Sequence, residues 1–522
     1  MNNNYKGIIN TDSRLFLTVM KSLVVGILVS AVVVAYRLLL GVAEDASISM
    51  YKAVQGHFLL TSLTFAGLIL SAFFIGYLLR RWPLISGSGI PQVKGIMLGY
   101  FENRWLSTLI AKFFGGALCI LAGLSLGREG PSIQLGACVA DGFSSRFAAT
   151  RMEKKILMAS GASAGLAAAF NAPLAGVIFT LEEVFKYFSP TILLSAMTAA
   201  VASDFVSKNV FGLSPIFSFP ITETLPLASY WILLPMGIVL GLAGVVYNRT
   251  LLGTQAAYKR LPETPGWLYP VIPFVLAGML GLTIPTVLGG GHHMLEYFSM
   301  NAGFGMLLGL LFVKFAFSMI SFGSGAPGGI FFPLLIMGAA VGAVLGRAAI
   351  LYAGLNEALY YNFIILAMAG FFASIVRAPI TGIILIVEMT GSLSHLLSLT
   401  VVSLVAYLTA DLMQCQPIYE SLLAKQIRQH RGRRRHLEDA AGDKKITIET
   451  IVRLESEAAG KAVKDVPWPS QCLLIAVKRE GKEFIPKGST TLMPGDYLIC
   501  IAPLSLETET RRSLQHLVHK EK

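Results

Sequence analysis

Along most of this chain the polar positions are too sparse to give a helix a face toward water. Uncharged, apolar runs occupy residues 58–79, 156–181, 224–248, 265–295, 315–346, 358–376 and 389–410. About twenty apolar residues are enough to cross a bilayer as a helix. Shorter runs at 22–36 and 187–203 carry flanking charges. Several runs are broken in mid-span by glycine and proline, as at Gly323-Ser324-Gly325-Ala326-Pro327-Gly328-Gly329. A break at membrane depth is tolerated only where the backbone is buried in protein or lines a polar cavity. The pattern therefore predicts an all-α polytopic membrane protein whose broken helices line a pathway.

Composition agrees. Of 522 residues, 54% are hydrophobic and only 14% charged, against about 25% charged in ordinary globular chains. A soluble protein this long could not cover its surface. Five scattered cysteines, Cys119, Cys138, Cys415, Cys472 and Cys500, fit neither a disulfide framework nor a metal site. The net charge of +12 is spread between apolar spans, which argues for basic cytoplasmic loops and against nucleic-acid binding. The polar N-terminus lacks the apolar core of a signal peptide. No nucleophile triad, metal cluster or Walker pair is present, so neither an enzyme nor a cofactor is expected.

The texture changes after Tyr419. Residues 425–436 (KQIRQHRGRRRH) are strongly basic, as expected of a cytoplasmic segment beside the membrane; a solvated linker and a lipid-binding stretch both fit. Beyond it, strands are predicted at 446–454, 472–477 and 497–501, the last after a turn at Met493-Pro494-Gly495-Asp496. The expected layout is a membrane domain over 1–424, a basic linker over 425–444 and a small soluble α+β domain over 445–522.

The membrane part repeats itself. Asn171-Ala172-Pro173-Leu174-Ala175-Gly176 leads through an apolar stretch to Glu182, and Arg377-Ala378-Pro379-Ile380-Thr381-Gly382 leads likewise to Glu388, offset by 206 positions (379 minus 173). Upstream, Gly130-Pro131 pairs with Phe332-Pro333. Two repeats of broken helices, here about 15–215 and 225–424, are how secondary transporters form a site near the midplane. The residues alone leave open whether the repeats are inverted or parallel.

Four Gly/Pro segments stand out: Gly87-Ser88-Gly89-Ile90-Pro91, Gly127-Arg128-Glu129-Gly130-Pro131, Gly329-Ile330-Phe331-Phe332-Pro333 and Gln416-Pro417-Ile418-Tyr419. Each suits a helix start, where unpaired N–H groups and the dipole favour an anion. A single one would be read as close helix packing; four together point to an anion path, with hydroxyls such as Ser88 and Tyr419 replacing water. Ionisable residues in apolar surroundings are costly and usually have roles: Lys112, Arg128, Glu129, Glu182, Glu183, Lys314, Arg377 and Glu388. Glu129, inside an anion-attracting loop, can take the anion's place when ionised and leave when protonated. Glu182 and Glu183 point in different directions on a helix. Because Glu182 matches Glu388, a structural role is expected for Glu182 and a functional one for Glu183. Lys112 either tunes the field along the path or pairs with a carboxylate.

These motifs, with AAAFNAPLAG at 167–176 and RAPITG at 377–382, resemble the CLC family of chloride channels and chloride/proton antiporters over about residues 15–425. The resemblance implies a CLC-type inverted repeat in a homodimer, with a separate pore in each subunit. It implies that Ser88 and Tyr419 donate hydroxyls to a central chloride, with N–H groups of Ile330 and Phe331, while N–H groups around Gly130 and Phe332 serve an outer site. Glu129 would be the external gating glutamate and Glu183 the internal proton-transfer glutamate, a position usually apolar in the channels. Ser88 favours chloride over nitrate, and GREGP with Tyr419 argues against the fluoride-exporting branch.

The tail, with Trp468-Pro469 and Leu492-Met493-Pro494-Gly495-Asp496, resembles a TrkA-C (RCK-C) regulatory domain rather than paired CBS domains. Such domains dimerise, and some bind ligands such as cyclic dinucleotides; a ligand-free dimer clamp fits equally. The resemblance thus implies chloride/proton exchange across a bacterial inner membrane, with both termini cytoplasmic. The alternatives are a passive gated chloride channel and a sensor whose membrane part serves the tail.

Overall fold

The computed structural model describes residues 2–186, 188–217, 219–221, 223–261, 265–299, 302–438, 445–453, 456–479, 482–503 and 506–518. The chain divides into two compact units, Met1–Ile427 and Arg428–Lys522.

The first half of the membrane unit runs through α1 (Asn2–Val54), α2 (Phe58–Arg81), α3 (Ile90–Met97), α4 (Trp105–Leu121), α5 (Glu129–Phe147), α6 (Arg151–Phe170), α7 (Pro173–Phe179) and α8 (Pro190–Phe211). The second runs through α9 (Leu233–Lys259), α10 (Val271–Thr283), α11 (Phe304–Gly323), α12 (Phe331–Ala353), α13 (Tyr360–Val376), α14 (Pro379–Thr390), α15 (Leu396–Leu412) and the start of α16 (Ile418–Glu438), whose residues from Arg428 on are counted with the second unit. Among the described residues, eight helices are long and apolar enough to cross a membrane. α13 lies almost wholly inside the unit, whereas α2 turns Phe58, Leu59, Leu63 and Leu70 outward, as a lipid-facing helix should.

Several apolar runs are not single helices. The run over 156–181 divides at Asn171, which takes a left-handed φ of 51° before Ala172-Pro173. Proline lacks an N–H and pushes the residue before it out of the α region. The run over 315–346 divides at the glycine-rich loop between α11 and α12, and that over 389–410 at Gly391. The apolar runs are thus interrupted helices.

The two halves make the same contacts in exchange. Glu388 accepts hydrogen bonds from the N–H groups of Leu174 and Ala175 at the start of α7. Glu182 accepts from Ile380 and Thr381 at the start of α14. Each carboxylate satisfies orphan donors at the first turn of the other repeat's helix. Lys112 donates to the carbonyls of Ile85 and Gly87, and Lys314 to those of Val287 and Gly289. Gly127 and Gly329 exchange backbone hydrogen bonds of 2.7 Å with each other, so the two motif loops meet face to face. Reciprocity of this kind is what a two-fold relation between repeats requires.

The second unit is an antiparallel sheet in the order β1-β4-β2-β3, from β1 (Lys445–Ile451), β2 (Leu473–Arg479), β3 (Lys482–Phe484) and β4 (Tyr497–Pro503), followed by α17 (Glu507–Val518). Ile448, Val477, Leu498 and Cys500 form its core with Leu514 and Val518 of α17. β1 ends at Ile451, short of the expected 454, which lies outside the described residues. The basic stretch expected as a linker from 425 continues α16 to Glu438; residues 439–444 lie outside the described residues.

Candidate functional site

All four glycine/proline motifs lie at helix starts. α3 opens at Ile90, α5 at Glu129, α12 at Phe331 and α16 at Ile418. The first intrahelical bonds run from Val93 to Gly89, Ser132 to Arg128, Leu334 to Ile330 and Ser421 to Pro417. The earlier N–H groups of each helix therefore have no partner within it, which is the arrangement that attracts an anion.

These starts converge. A Cβ on Gly130 would lie 2.7 Å from the Ser88 carbonyl oxygen, so α5 can approach the Ser88 loop only with glycine there. Gly87 bonds to Gly325 and accepts from Gly328, tying that loop to the second repeat. The Phe179 ring stands edge-on to both Phe331 (6.0 Å) and Tyr419 (6.5 Å). Ser88, Ile330, Phe331, Phe332 and Tyr419 are all buried, and the Tyr419 hydroxyl has no hydrogen-bond partner among the described groups. A hydroxyl that is buried and unsatisfied calls for a bound polar species or ion.

Glu129 is fully enclosed at the first turn of α5. Its carboxylate lies beside its own N–H and that of Phe332, without a hydrogen bond of good geometry. The guanidinium of Arg128 is 3.7 Å away. Glu129, Arg128, Glu44, His292 and Phe332 line one small cleft.

Glu183 sits in a π-helical turn, Thr180–Phe185, that follows α7. Such widened turns recur at functional sites. Here the turn sends Glu182 outward to cap α14 and leaves Glu183 only 2% exposed.

The structure thus sorts the ionisable residues. Glu182, Glu388, Lys112, Lys314 and Arg377 hold backbone: Arg377 has left-handed φ at the end of α13 and donates to the carbonyls of Tyr407 and Cys415. Lys112 pairs with carbonyls, and among the described residues the carboxylate pairing considered for it is not made. Glu129, Arg128 and Glu183 are not used in this way. Sequence reasoning passed over Lys94, which ion-pairs with Glu183 at 3.3 Å, and Glu420, 3.8 Å from the same Lys94. A cation six positions after Ser88, on a segment otherwise uncharged, was the available signal.

Residues 71–411 match the voltage gated chloride channel family, and residues 448–514 the TrkA-C domain. A relative from Vibrio cholerae, the H(+)/Cl(-) exchange transporter ClcA, is 35% identical over 80% of this chain and 92% of its own length. The crystal structure of a slow cyanobacterial Cl−/H+ antiporter is similar with a TM-score of 0.73, at 30% identity, over 78% of this chain and 98% of that one. A CLC-type fluoride/proton antiporter is similar with a TM-score of 0.63, at 25% identity, over 78% of this chain and 97% of that one. The matched family, the broken-helix repeats and the spans long enough to cross a bilayer lead to one conclusion: the chain belongs to the CLC family, a multi-pass membrane protein of inverted repeats followed by a TrkA-C domain.

Proposed function

We propose that the protein exchanges chloride for protons, with Glu129 and Glu183 as the two proton stations. The observation that carries this reading is that two carboxylates, Glu129 and Glu183, are buried in the membrane unit and neither is used as scaffold. Ser88 and Tyr419 offer hydroxyls to a central chloride, and the N–H groups of Ile330 and Phe331 complete it. N–H groups around Gly130 and Phe332 form the outer site. Ionised, the Glu129 carboxylate rests beside the Phe332 N–H and competes with chloride for that site; protonated, it loses the attraction and yields. Each such cycle moves a proton one way and chloride the other. Glu183 supplies the proton from the opposite side. The closeness of named relatives that are H(+)/Cl(-) exchange transporters supports the same reading.

The protein works as a homodimer in a bacterial inner membrane, both termini cytoplasmic, each subunit with its own pore. The TrkA-C domain is a regulatory module that binds a small ligand, a cyclic dinucleotide being the first class to test; truncation after Arg435 keeps exchange and removes that control.

Liposomes loaded with chloride and a pH probe, with the voltage clamped, test the exchange. Protons driven against their gradient by chloride, and halted in Glu183→Gln, are expected. Chloride flux with no proton movement makes the protein a passive channel.

A further inference from the structure

Glu183 shares its enclosure with a cation. Lys94, in the last turn of α3, is 7% exposed, and its Nζ lies 3.3 Å from Glu183 Oε1. The same Nζ lies 3.8 Å from Glu420 Oε1, and Glu420 also ion-pairs with Lys186. The two carboxylates facing Lys94 differ in kind. The Glu183 side chain is 2% exposed, whereas that of Glu420 is 41% exposed. One is closed off and the other meets water.

A buried ammonium cannot be left unpaired without a large cost in lost solvation. If Glu183 takes a proton, its attraction for Lys94 falls, and the second carboxylate is already within reach. Rotation about the terminal torsions of a lysine side chain suffices for the change, because its ammonium is a compact charge on a flexible stem. We propose that Lys94 is the shared counter-ion of the inner proton station: it pairs with Glu183 when that carboxylate is ionised and with Glu420 when Glu183 is protonated. The O–H bond on Glu183 forms with a proton given up by hydronium in the adjoining water, whose O–H bond breaks to leave H2O, and Lys94 keeps its protons throughout. This rests on the reading of Glu183 as a proton station. Lys94 touches neither anion nor transferred proton, so it is a positioning residue.

The charged and titratable groups facing Glu183 are Lys94 from α3, Lys186 from its own segment, and Glu420 and Tyr419 from α16. An opposite charge at this range favours the ionised carboxylate. Lys94 and Glu420 thus set the pH at which Glu183 loads, one pulling against the other.

The test measures chloride-driven proton movement by the full chain in liposomes while pH is varied on one side at a time. Lys94→Gln is expected to move the midpoint about one unit to higher pH, and Lys94→Arg to leave it near that of the unaltered chain. Glu420→Gln is expected to move it to lower pH, and by less in the Lys94→Gln background than when Lys94 is present. Equal shifts in both backgrounds would mean simple repulsion between carboxylates and overturn the shared counter-ion. Should Lys94→Gln not fold, Glu420→Gln still reads the pair from its exposed side, and an unmoved midpoint there overturns the inference. An unmoved midpoint in folded Lys94→Gln, with proton movement intact, removes this inference alone. Absence of proton movement in the unaltered chain removes it together with the proton role of Glu183.

Discussion

The two repeats of the membrane unit share most of the buried charges that hold backbone and differ at the buried carboxylates that do not. Lys112 and Lys314 hold equivalent loops by equivalent carbonyls. Glu182 and Glu388 cap each other's partner helices. Gly127 and Gly329 pair directly. Yet the next positions diverge: Arg128 and Glu129 in one loop answer to Ile330 and Phe331 in the other, and Glu183 answers to Met389. A duplicated scaffold brings helix starts to a common centre, and the unmatched residues make the two sides of that centre differ. The comparison teaches that a buried charge shared by both repeats is a strut, while one present in only one repeat and not tied to backbone, as Arg377 is, is a candidate for transport.

That contrast breaks most sharply at the unmatched carboxylates. Glu129→Ala should abolish proton coupling while chloride continues to move, seen as a pH probe that no longer responds to a chloride gradient. A variant that still couples would place the outer station elsewhere.

The loops come next. A Cβ at Gly130 meets the Ser88 carbonyl at 2.7 Å, while one at Gly329 meets nothing nearer than 3.2 Å. Gly130→Ala should therefore slow chloride turnover by about tenfold, roughly 1.4 kcal/mol, with Gly329→Ala milder. Equal losses would mean that the two loops are equally tight.

An effect on stability rather than on transport separates the membrane unit from the tail. In the tail, burial pushes the Asp496 carboxyl up, but the Arg479 guanidinium and the Met493 N–H more than offset this and hold it below its usual range. A carboxyl depressed on folding contributes stability that is present above its ordinary pKa, about 4, and lost as pH falls through the folded value. Asp496→Ala should cost the tail about 2 kcal/mol near neutral pH and remove that acid dependence, read by denaturant titration of tail fluorescence from Trp468.

The matched struts give the smallest change. Glu182→Ala and Glu388→Ala should each lower stability by about 1 kcal/mol, the usual worth of a helix cap, and by similar amounts in detergent melts. A large difference between them would show that the repeats do not share load evenly.

Much of this was legible beforehand because it is local. Glycine, proline and a hydrophobic run mark a helix start within five residues, so the four motifs and Glu129 were visible. The repeat disclosed that Glu182 has a structural twin. What stayed hidden depends on distant contacts. That Glu182 caps Ile380 and Thr381, or that Lys94 meets Glu183 and Glu420, is decided by packing between segments far apart in the chain. Lys94 lies near the end of a short helix, where a cation reads as an ordinary interfacial residue. In the tail, β3 is too short for alternation to show, and the polar majority of α17 hides Leu514 and Val518.

The central claim, that Glu129 and Glu183 couple chloride to protons, is tested most directly by the reversal potential of the purified protein in planar bilayers. Chloride is held equal on both sides and a pH gradient is imposed. The account predicts a reversal potential away from zero in the unaltered chain and at zero in both Glu129→Ala and Glu183→Gln. A reversal potential of zero in the unaltered chain would contradict it.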